Sequence, residues 1–345
     1  PASLLLMIDS LMDNNPSICI ENIEFDIFGF SRGAAAARHF ANEVLKAENG
    51  ILANTLDTRT PTFAPGFSIT GSISINFIGL FDTVAAIGDP AQGHLSVGDD
   101  YNPDVNLYLP PDCARKVVHL TAADEHRHNF SLNRVSAPHE ELVLPGVHSN
   151  LGGGYPTLSY ERLVIGRPVF FLSNHYPLDG PARQQLIRSR AWRVRQQEKE
   201  RFRARGLPGD GRFEQHEEVV GQSPNARVLL TLSIIRSVRG ELSRVSLKVM
   251  HAKASIATVP FGALNEADRR FAVPTDLEPI ADKVFSACMA GHSPILSIEE
   301  KRFLHSRYIH SSANWVPVKG FMANKPRHDF IRAIYPDEQQ NGYPA

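Results

Sequence analysis

Cysteine is scarce in this chain: Cys19, Cys113 and Cys288 are an odd number with no close spacing among 345 residues. They make neither a disulfide framework nor the paired-thiol spacing of a zinc site, so free, buried thiols are expected. Excess charge of either sign is also missing. With 36 basic and 37 acidic residues the net charge is −1, which argues against wholesale nucleic-acid binding, although a balanced total can hide local asymmetry. No apolar run approaches the ~20 residues that a membrane-spanning helix requires. The opening Pro-Ala-Ser-Leu-Leu-Leu-Met-Ile-Asp has neither an initiating Met nor a basic segment, so no signal peptide is expected. It reads as the middle of a helix, as though the chain begins inside a domain. Internal repeats and low-complexity tracts are lacking too. A hydrophobic content of 42% with 21% charged residues is that of a globular protein able to bury a sizeable core in one large or two ordinary domains.

Against these absences one stretch stands out. Residues 24–38 run Glu-Phe-Asp-Ile-Phe-Gly-Phe-Ser-Arg-Gly-Ala-Ala-Ala-Ala-Arg. An alternating, half-apolar strand pattern ends at Gly29, a tight turn follows, and an Ala-rich segment that favours helix comes next. This is G-x-S-x-G with a strand before it and a helix after it, the setting of a nucleophile elbow. Ser31 is therefore the candidate nucleophile, raised above the sheet on a strained turn. Gly29 and Gly33 are expected to let strand and helix approach closely. The Arg32 backbone N–H, at the positive end of the helix, is the candidate oxyanion donor.

The pattern predicts helices over 2–14 and 32–46, then a polar surface loop over 51–71. An apolar strand over 74–81 runs into Asp82-Thr83, and a Gly-, Asp- and Pro-rich loop occupies 88–114. Strands over 116–122 and 140–147 follow, the second leading into His148 and the run Gly152-Gly153-Gly154. Alternating strands and helices indicate an α/β domain with a mainly parallel sheet flanked by helices. In such sheets the site lies at the carboxyl ends of the strands, which puts Ser31, Asp82 and His148 on one rim. Their order, Ser…Asp…His, is that of α/β-hydrolases. Asp82 could equally close a strand or cap a helix, and His148 could be a structural histidine beside a glycine turn. Asp124, Glu125 and Arg127 read as a local ion network.

Residues 183–212 hold ten Lys/Arg against three Asp/Glu, with Trp192 and Phe202 interleaved. This reads as an exposed, projecting helix. It is either a solvated face or a basic surface for anionic lipid headgroups or an acidic partner, with Arg188, Trp192, Arg195 and Phe202 as candidate membrane contacts. No nucleic-acid recognition motif accompanies the charge. From residue 225 on the pattern reads as helical, with Leu242, Val245 and Val249 on one stripe, and another helix is predicted near 276–290. His310, between Ile309 and Ser311-Ser312, is the rival to His148 as the base; it could instead anchor a closing loop. The expected division is a hydrolase core over 1–160, a helical basic insertion over 161–224, and C-terminal helices completing the core over 225–345.

Four motifs in order, Gly-Phe-Ser-Arg-Gly-Ala (29–34), Leu-Phe-Asp-Thr-Val (80–84), Ala-Asp-Glu-His-Arg (123–127) and Pro-Gly-Val-His-Ser-Asn-Leu-Gly-Gly-Gly-Tyr (145–155), resemble an α/β-hydrolase family. Its best-known members are type VI secretion lipase effectors of the first class, bacterial phospholipases A. Arg-Tyr-Ile-His-Ser-Ser-Ala-Asn-Trp (307–315) resembles the tail of the effector branch. The resemblance implies a metal-independent, cofactor-free phospholipase of A1/A2 type with Ser31, Asp82 and His148 as its triad. It also implies synthesis in a bacterial cytoplasm, secretion, and action in the periplasm of a target cell. Membrane phospholipid, a cognate immunity protein and a spike protein of the secretion apparatus are the implied partners, and nucleic acid is not. Many relatives have Asp at the position of Asn150. The family's opening strand and the loop carrying a second oxyanion donor are expected to lie outside this chain.

Overall fold

The computed structural model describes residues 2–56, 62–85, 105–172, 178–221, 226–317, 322–328 and 330–339. The loop expected over 88–114 therefore lies outside the described residues as far as residue 104. In chain order the core begins with α1 (Ala2–Asn14), β1 (Ile23–Phe30) and α2 (Arg32–Leu45). The stretch expected to be loop instead contains two short helices, α3 (Ile51–Leu56) and α4 (Ile69–Ser72). Ser68 caps α4 by accepting a hydrogen bond from the Gly71 N–H at 3.0 Å, a local use of serine that competes with open loop. Next come β2 (Ile73–Phe81), β3 (Lys116–Ala122), the two-residue β4 (Leu132–Asn133), β5 (Glu140–Leu144) and α5 (His148–Gly152).

Strands β1, β2, β3 and β5 form one sheet in the order β1-β2-β3-β5, every pair parallel. Side chains alternate across it and feed two cores. Ile78, Leu80 and Val117 face α1, α2 and α3 on one side. Phe77, Val118, Leu120, Leu142 and Leu144 face the C-terminal helices on the other. A one-residue register shift opposite Phe25/Asp26 keeps Ile75 and Ile78 on the same face. Burial on both sides explains why β2 and β3 read as nearly continuous apolar runs. Residues Ala34, Ala35, Ala37 and Ala41 of α2 are buried, and their small side chains let that helix lie close to the strands.

The segment after α5 departs from expectation. Its two basic helices, α6 (Gly180–Arg188) and α7 (Arg190–Ala204), are present, but they lie on a three-stranded antiparallel sheet. That sheet is built from β6 (Leu158–Leu172), β7 (Arg212–Val220) and β8 (Arg227–Arg239) in the order β6-β8-β7. The helical reading from residue 225 therefore fails over β8, where Val228, Leu230, Leu232 and Ile234 are buried and the residues between them are not. That is the period of a strand, not of a helix. The chain then returns to the core with α8 (Leu242–Ile256), α9 (Glu278–Met289) and α10 (Ile298–Arg307), and β9 (Ile334–Tyr335) pairs in parallel with β4.

Candidate active site

Register sets the rim. Phe30 of β1 lies opposite Phe81 of β2, and Phe81 opposite Leu120 of β3. The ladder continues one residue beyond the strands: the Ser31 N–H donates to the Phe81 carbonyl at 3.0 Å, and the Asp82 N–H to the Leu120 carbonyl at 2.7 Å. Ser31 and Asp82 are thus held side by side by backbone pairing before any side chain is considered. Both turn sharply off the sheet, with φ of +60° at Ser31 and +46° at Asp82. This left-handed region is strained for residues with a Cβ and recurs at functional sites.

Gly29 makes the elbow sterically feasible. A Cβ there would sit 2.3 Å from the Gly33 carbonyl oxygen and 2.6 Å from Ala34 Cα. Gly33 has no such role: a Cβ on it would meet nothing within 4 Å. The expectation that both glycines permit close approach is corrected to Gly29 alone. Arg32 is the first residue of α2, so its backbone N–H is one of the helix's unsatisfied donors by position.

His148 does not end a strand; it opens the short helix α5, past the end of β5. It is buried, and its Nδ1 lies 2.6 Å from Asp82 Oδ2. The Phe30 ring lies 4.5 Å from the imidazole and the Phe130 ring meets it edge-on at 4.8 Å. Gly152 makes room for the first of these rings, since a Cβ there would fall 2.4 Å from Phe30. The His148 N–H donates to Glu125 Oε2 at 3.3 Å, and Glu125 is itself paired with Arg127 at 2.8 Å. The acidic-basic run expected to be a local ion network is therefore also a support under His148. Among the described residues no hydrogen bond joins the Ser31 hydroxyl to His148.

Asp82 is fully buried and accepts four hydrogen bonds. They come from the Ala122 N–H at 2.9 Å, His148 Nδ1 at 2.6 Å, and Arg332 Nη1 and Nη2 at 2.6 and 2.8 Å. Burial pushes this carboxyl up. The Arg332 guanidinium and the bond to His148 outweigh it and hold the group far below the usual carboxylate range. The following residue, Thr83, donates its N–H to His119 Nε2 at 3.1 Å. His119 Nε2 is thus an acceptor, and Nδ1 carries the proton facing Glu141 Oε2 at 3.3 Å. Burial lowers the pKa of His119, which suits a neutral ring steadying the acid turn.

His310 sits elsewhere. Its ring lies almost parallel to Tyr155 at 3.5 Å, and its ring nitrogens meet Asn150 Nδ2 at 3.1 Å and Ser159 Oγ at 3.3 Å. Burial, reinforced by the Arg236 charge, pushes its pKa down to about 3. Asn150 uses both ends of its amide here, accepting from the Val147 and His310 N–H groups and donating to the Tyr308 carbonyl. A carboxylate in that position could not donate.

The solved structure described as "Structure of the Tle1 effector bound to the VgrG spike from the Type 6 secretion system" superposes with a TM-score of 0.72 at 31% identity, over 93% of this chain and 69% of that one. The chain belongs to the Tle1-like family of type VI secretion phospholipase effectors. The family model "T6SS, Phospholipase effector Tle1-like, catalytic domain" matches residues 59–165, a span that contains Asp82 and His148. A second structure, "Crystal structure of an uncharacterized protein from Pseudomonas aeruginosa", aligns at 22% identity and a TM-score of 0.40 over 86% of this chain and 32% of that one. No curated protein sequence matches. Membership in the Tle1-like family makes the chain an ester hydrolase of the effector class.

Two cavities of about 570 Å³ each lie near the rim of this Tle1-like domain. One, beside the elbow, has largely apolar walls from Phe28, Phe30, Phe81, Leu151, Tyr155 and Leu247, with Glu241, Arg244 and Arg270 also in its lining. The other has mixed walls, with Asp124, Glu125, His126 and Arg205 beside Val147, Ile165 and Phe202. Among the described residues no cluster of three or more His, Cys, Asp or Glu could hold a metal ion. The expected membrane contacts of the insertion need correction. Arg195 is 1% exposed and pairs with Glu198. Trp192 packs into the cluster around Leu186, Val228 and Leu230, under the Arg183 guanidinium. Phe202 is half-buried beside Phe213. Only Arg188 of the four is exposed.

Sequence reasoning missed Arg332 and Phe130. Arg332 lies 250 residues from Asp82 in a stretch with no local motif. Phe130 is one apolar residue in a loop. Only three-dimensional contact distinguishes either.

Proposed function

We propose that the domain is a serine phospholipase of A1/A2 type acting through Ser31, Asp82 and His148. The observation that carries this reading is the buried 2.6 Å contact between Asp82 and His148 on the rim where the Ser31 turn emerges. His148 Nδ1 donates to Asp82, which leaves Nε2 as the lone-pair nitrogen that takes the Ser31 proton. The Ser31 oxygen attacks the acyl carbonyl, and the developing oxyanion is stabilised by the Arg32 backbone N–H. His148 then gives its proton to the departing glycerol oxygen, and water, activated by the same imidazole, releases the fatty acid. Asp82 orients the ring and offsets the imidazolium charge. The apolar cavity beside the elbow fits an acyl chain.

By the same membership, the proposed setting is delivery by a type VI spike protein to the periplasm of a target cell, with an immunity protein protecting the producer. The test is fatty-acid release from phospholipid vesicles by the full-length protein, wild type beside Ser31→Ala, Asp82→Ala, His148→Ala and His310→Ala. The first three are expected to lose about 10³-fold or more, and His310→Ala far less. Activity retained in His148→Ala but lost in His310→Ala would replace the base. A wild type that releases nothing would point to a silent binding scaffold. Equal rates on dispersed and aggregated esters would point to a small soluble substrate.

A further inference from the structure

We propose that Arg332, on the C-terminal strap, is a positioning residue of the active site, fixing the plane of the Asp82 carboxylate and one wall around the His148 ring. The inference rests on the triad reading above. Residues 332–337 lie against the loop after β3: the Leu132 N–H donates to the Ala333 carbonyl at 2.9 Å and the Arg134 N–H to the Tyr335 carbonyl at 3.0 Å. This backbone register delivers the Arg332 side chain into the protein, where it is 9% exposed.

All three ends of its guanidinium are used there. Nη1 and Nη2 grip the two oxygens of Asp82, while Nε donates to the Phe130 carbonyl at 2.7 Å. A carboxylate with only the Ala122 N–H and His148 as partners could rotate about its Cβ–Cγ bond. A planar two-pronged donor prevents that rotation. The Nε bond fixes the backbone of Phe130, whose ring abuts the imidazole. One side chain thus restrains two of the surfaces that define the orientation of His148.

The same geometry has an electrostatic consequence. The charged groups facing His148 are Asp82 from the end of β2, Glu125 under its backbone N–H, Arg127 paired with Glu125, and Arg332 behind Asp82. Arg332 partly offsets the Asp82 charge on the side away from the imidazole, so one side chain both orients and partly neutralises the carboxylate. Further along the strap, Asp337 pairs with buried Arg38 of α2 at 2.7 Å, which ties the nucleophile helix without touching His148. It is the natural comparison.

The experiment measures kcat and KM of the full-length protein on a monomeric short-chain phospholipid, with the folded fraction of each variant taken from its unfolding transition. Arg332→Gln is expected to lower kcat per folded molecule by about 10–100-fold with KM nearly unchanged. In Arg332→Lys the charge is kept and the fork is lost, so kcat should recover only in part and stay about 10-fold low. Asp337→Asn should lower the melting temperature and leave kcat per folded molecule near wild type. Counting only folded molecules lets the readout survive partial destabilisation. A rate loss in Arg332→Gln no larger than its lost folded fraction would overturn the proposal. Ser31→Ala and His148→Ala in the same assay separate this from the triad: activity in either overturns that reading whatever Arg332 does.

Discussion

Arg38 and Arg332 lie buried in the α/β core, Arg236 lies buried where the antiparallel sheet meets the segment after α10, and Arg195 lies buried under α7, yet these seams and the insertion handle a buried cation differently. At the seams, each guanidinium is matched by acceptors from distant parts of the chain. Arg38 reaches the carbonyls of Leu107 and Asn133 and the Asp337 carboxylate. Arg236 reaches Glu161, the carbonyls of His305 and Ile309, and the Ser311 hydroxyl. Arg332 reaches Asp82 and Phe130. In the insertion, among the described residues Arg195 pairs only with Glu198, three residues along the same helix, and its Nε and Nη1 have no hydrogen-bond partner there. Taking a charge out of water costs several kcal/mol, which attraction offsets only when the remaining donors are also satisfied. The matched arginines therefore hold specific long-range geometry, including that of the proposed acid. Arg195 holds one turn of one helix.

The contrast predicts a graded series in denaturant unfolding. Arg236→Met should have the largest effect, about 3–5 kcal/mol, because it strands the buried Glu161 carboxylate and frees the 305–311 segment. A loss below about 1 kcal/mol would show that matched arginines do not staple the seams. Asp337→Asn should cost about 1–3 kcal/mol, since Arg38 keeps its two carbonyl acceptors and the amide keeps the shape of the carboxylate. If Asp337→Asn proved as damaging as Arg236→Met, charge and not acceptor count would be the controlling variable.

The same contrast separates what could be read from the sequence from what could not. The elbow was legible because its signal is local: a strand, Gly29, Ser31 and an Ala-rich helix within 15 residues. The rim was legible because parallel strands place their carboxyl ends together, so Asp82 and His148 could be placed near Ser31 from their order in the chain. Strand β8 was legible in principle, since Val228, Leu230, Leu232 and Ile234 alternate, but the basic helices before it and the helical stripe after it favour a helical reading of the whole region. Arg195 reads as a surface charge in any helical-wheel argument. It is buried because Gly166, at an irregularity in β6, leaves a space into which its guanidinium lies. Arg332 carries no local signal at all. Its role depends on a pairing between residues 250 positions apart, which one sequence cannot encode as a motif.

The smallest effect is expected where the pair is unmatched. Replacing Arg195 with Met alone would leave Glu198 near apolar surroundings, and burial already raises the pKa of that carboxyl. The informative variant is therefore the double substitution Arg195→Met, Glu198→Leu. Both side chains are apolar and somewhat shorter than those they replace, and Met is unbranched enough to follow the channel over Gly166. The double variant should be neutral or more stable by about 1 kcal/mol, as when buried ion pairs elsewhere give way to apolar packing. Arg195→Met alone should be less stable than the double variant, and the gap should narrow as pH falls and Glu198 takes up a proton. The sign follows from the raised carboxyl: protonation removes the stranded charge, so the single variant recovers stability toward acid. A double variant destabilised by more than about 2 kcal/mol would mean that the unmatched pair specifies structure as strongly as the seam arginines do, and the distinction between the two regions would fail.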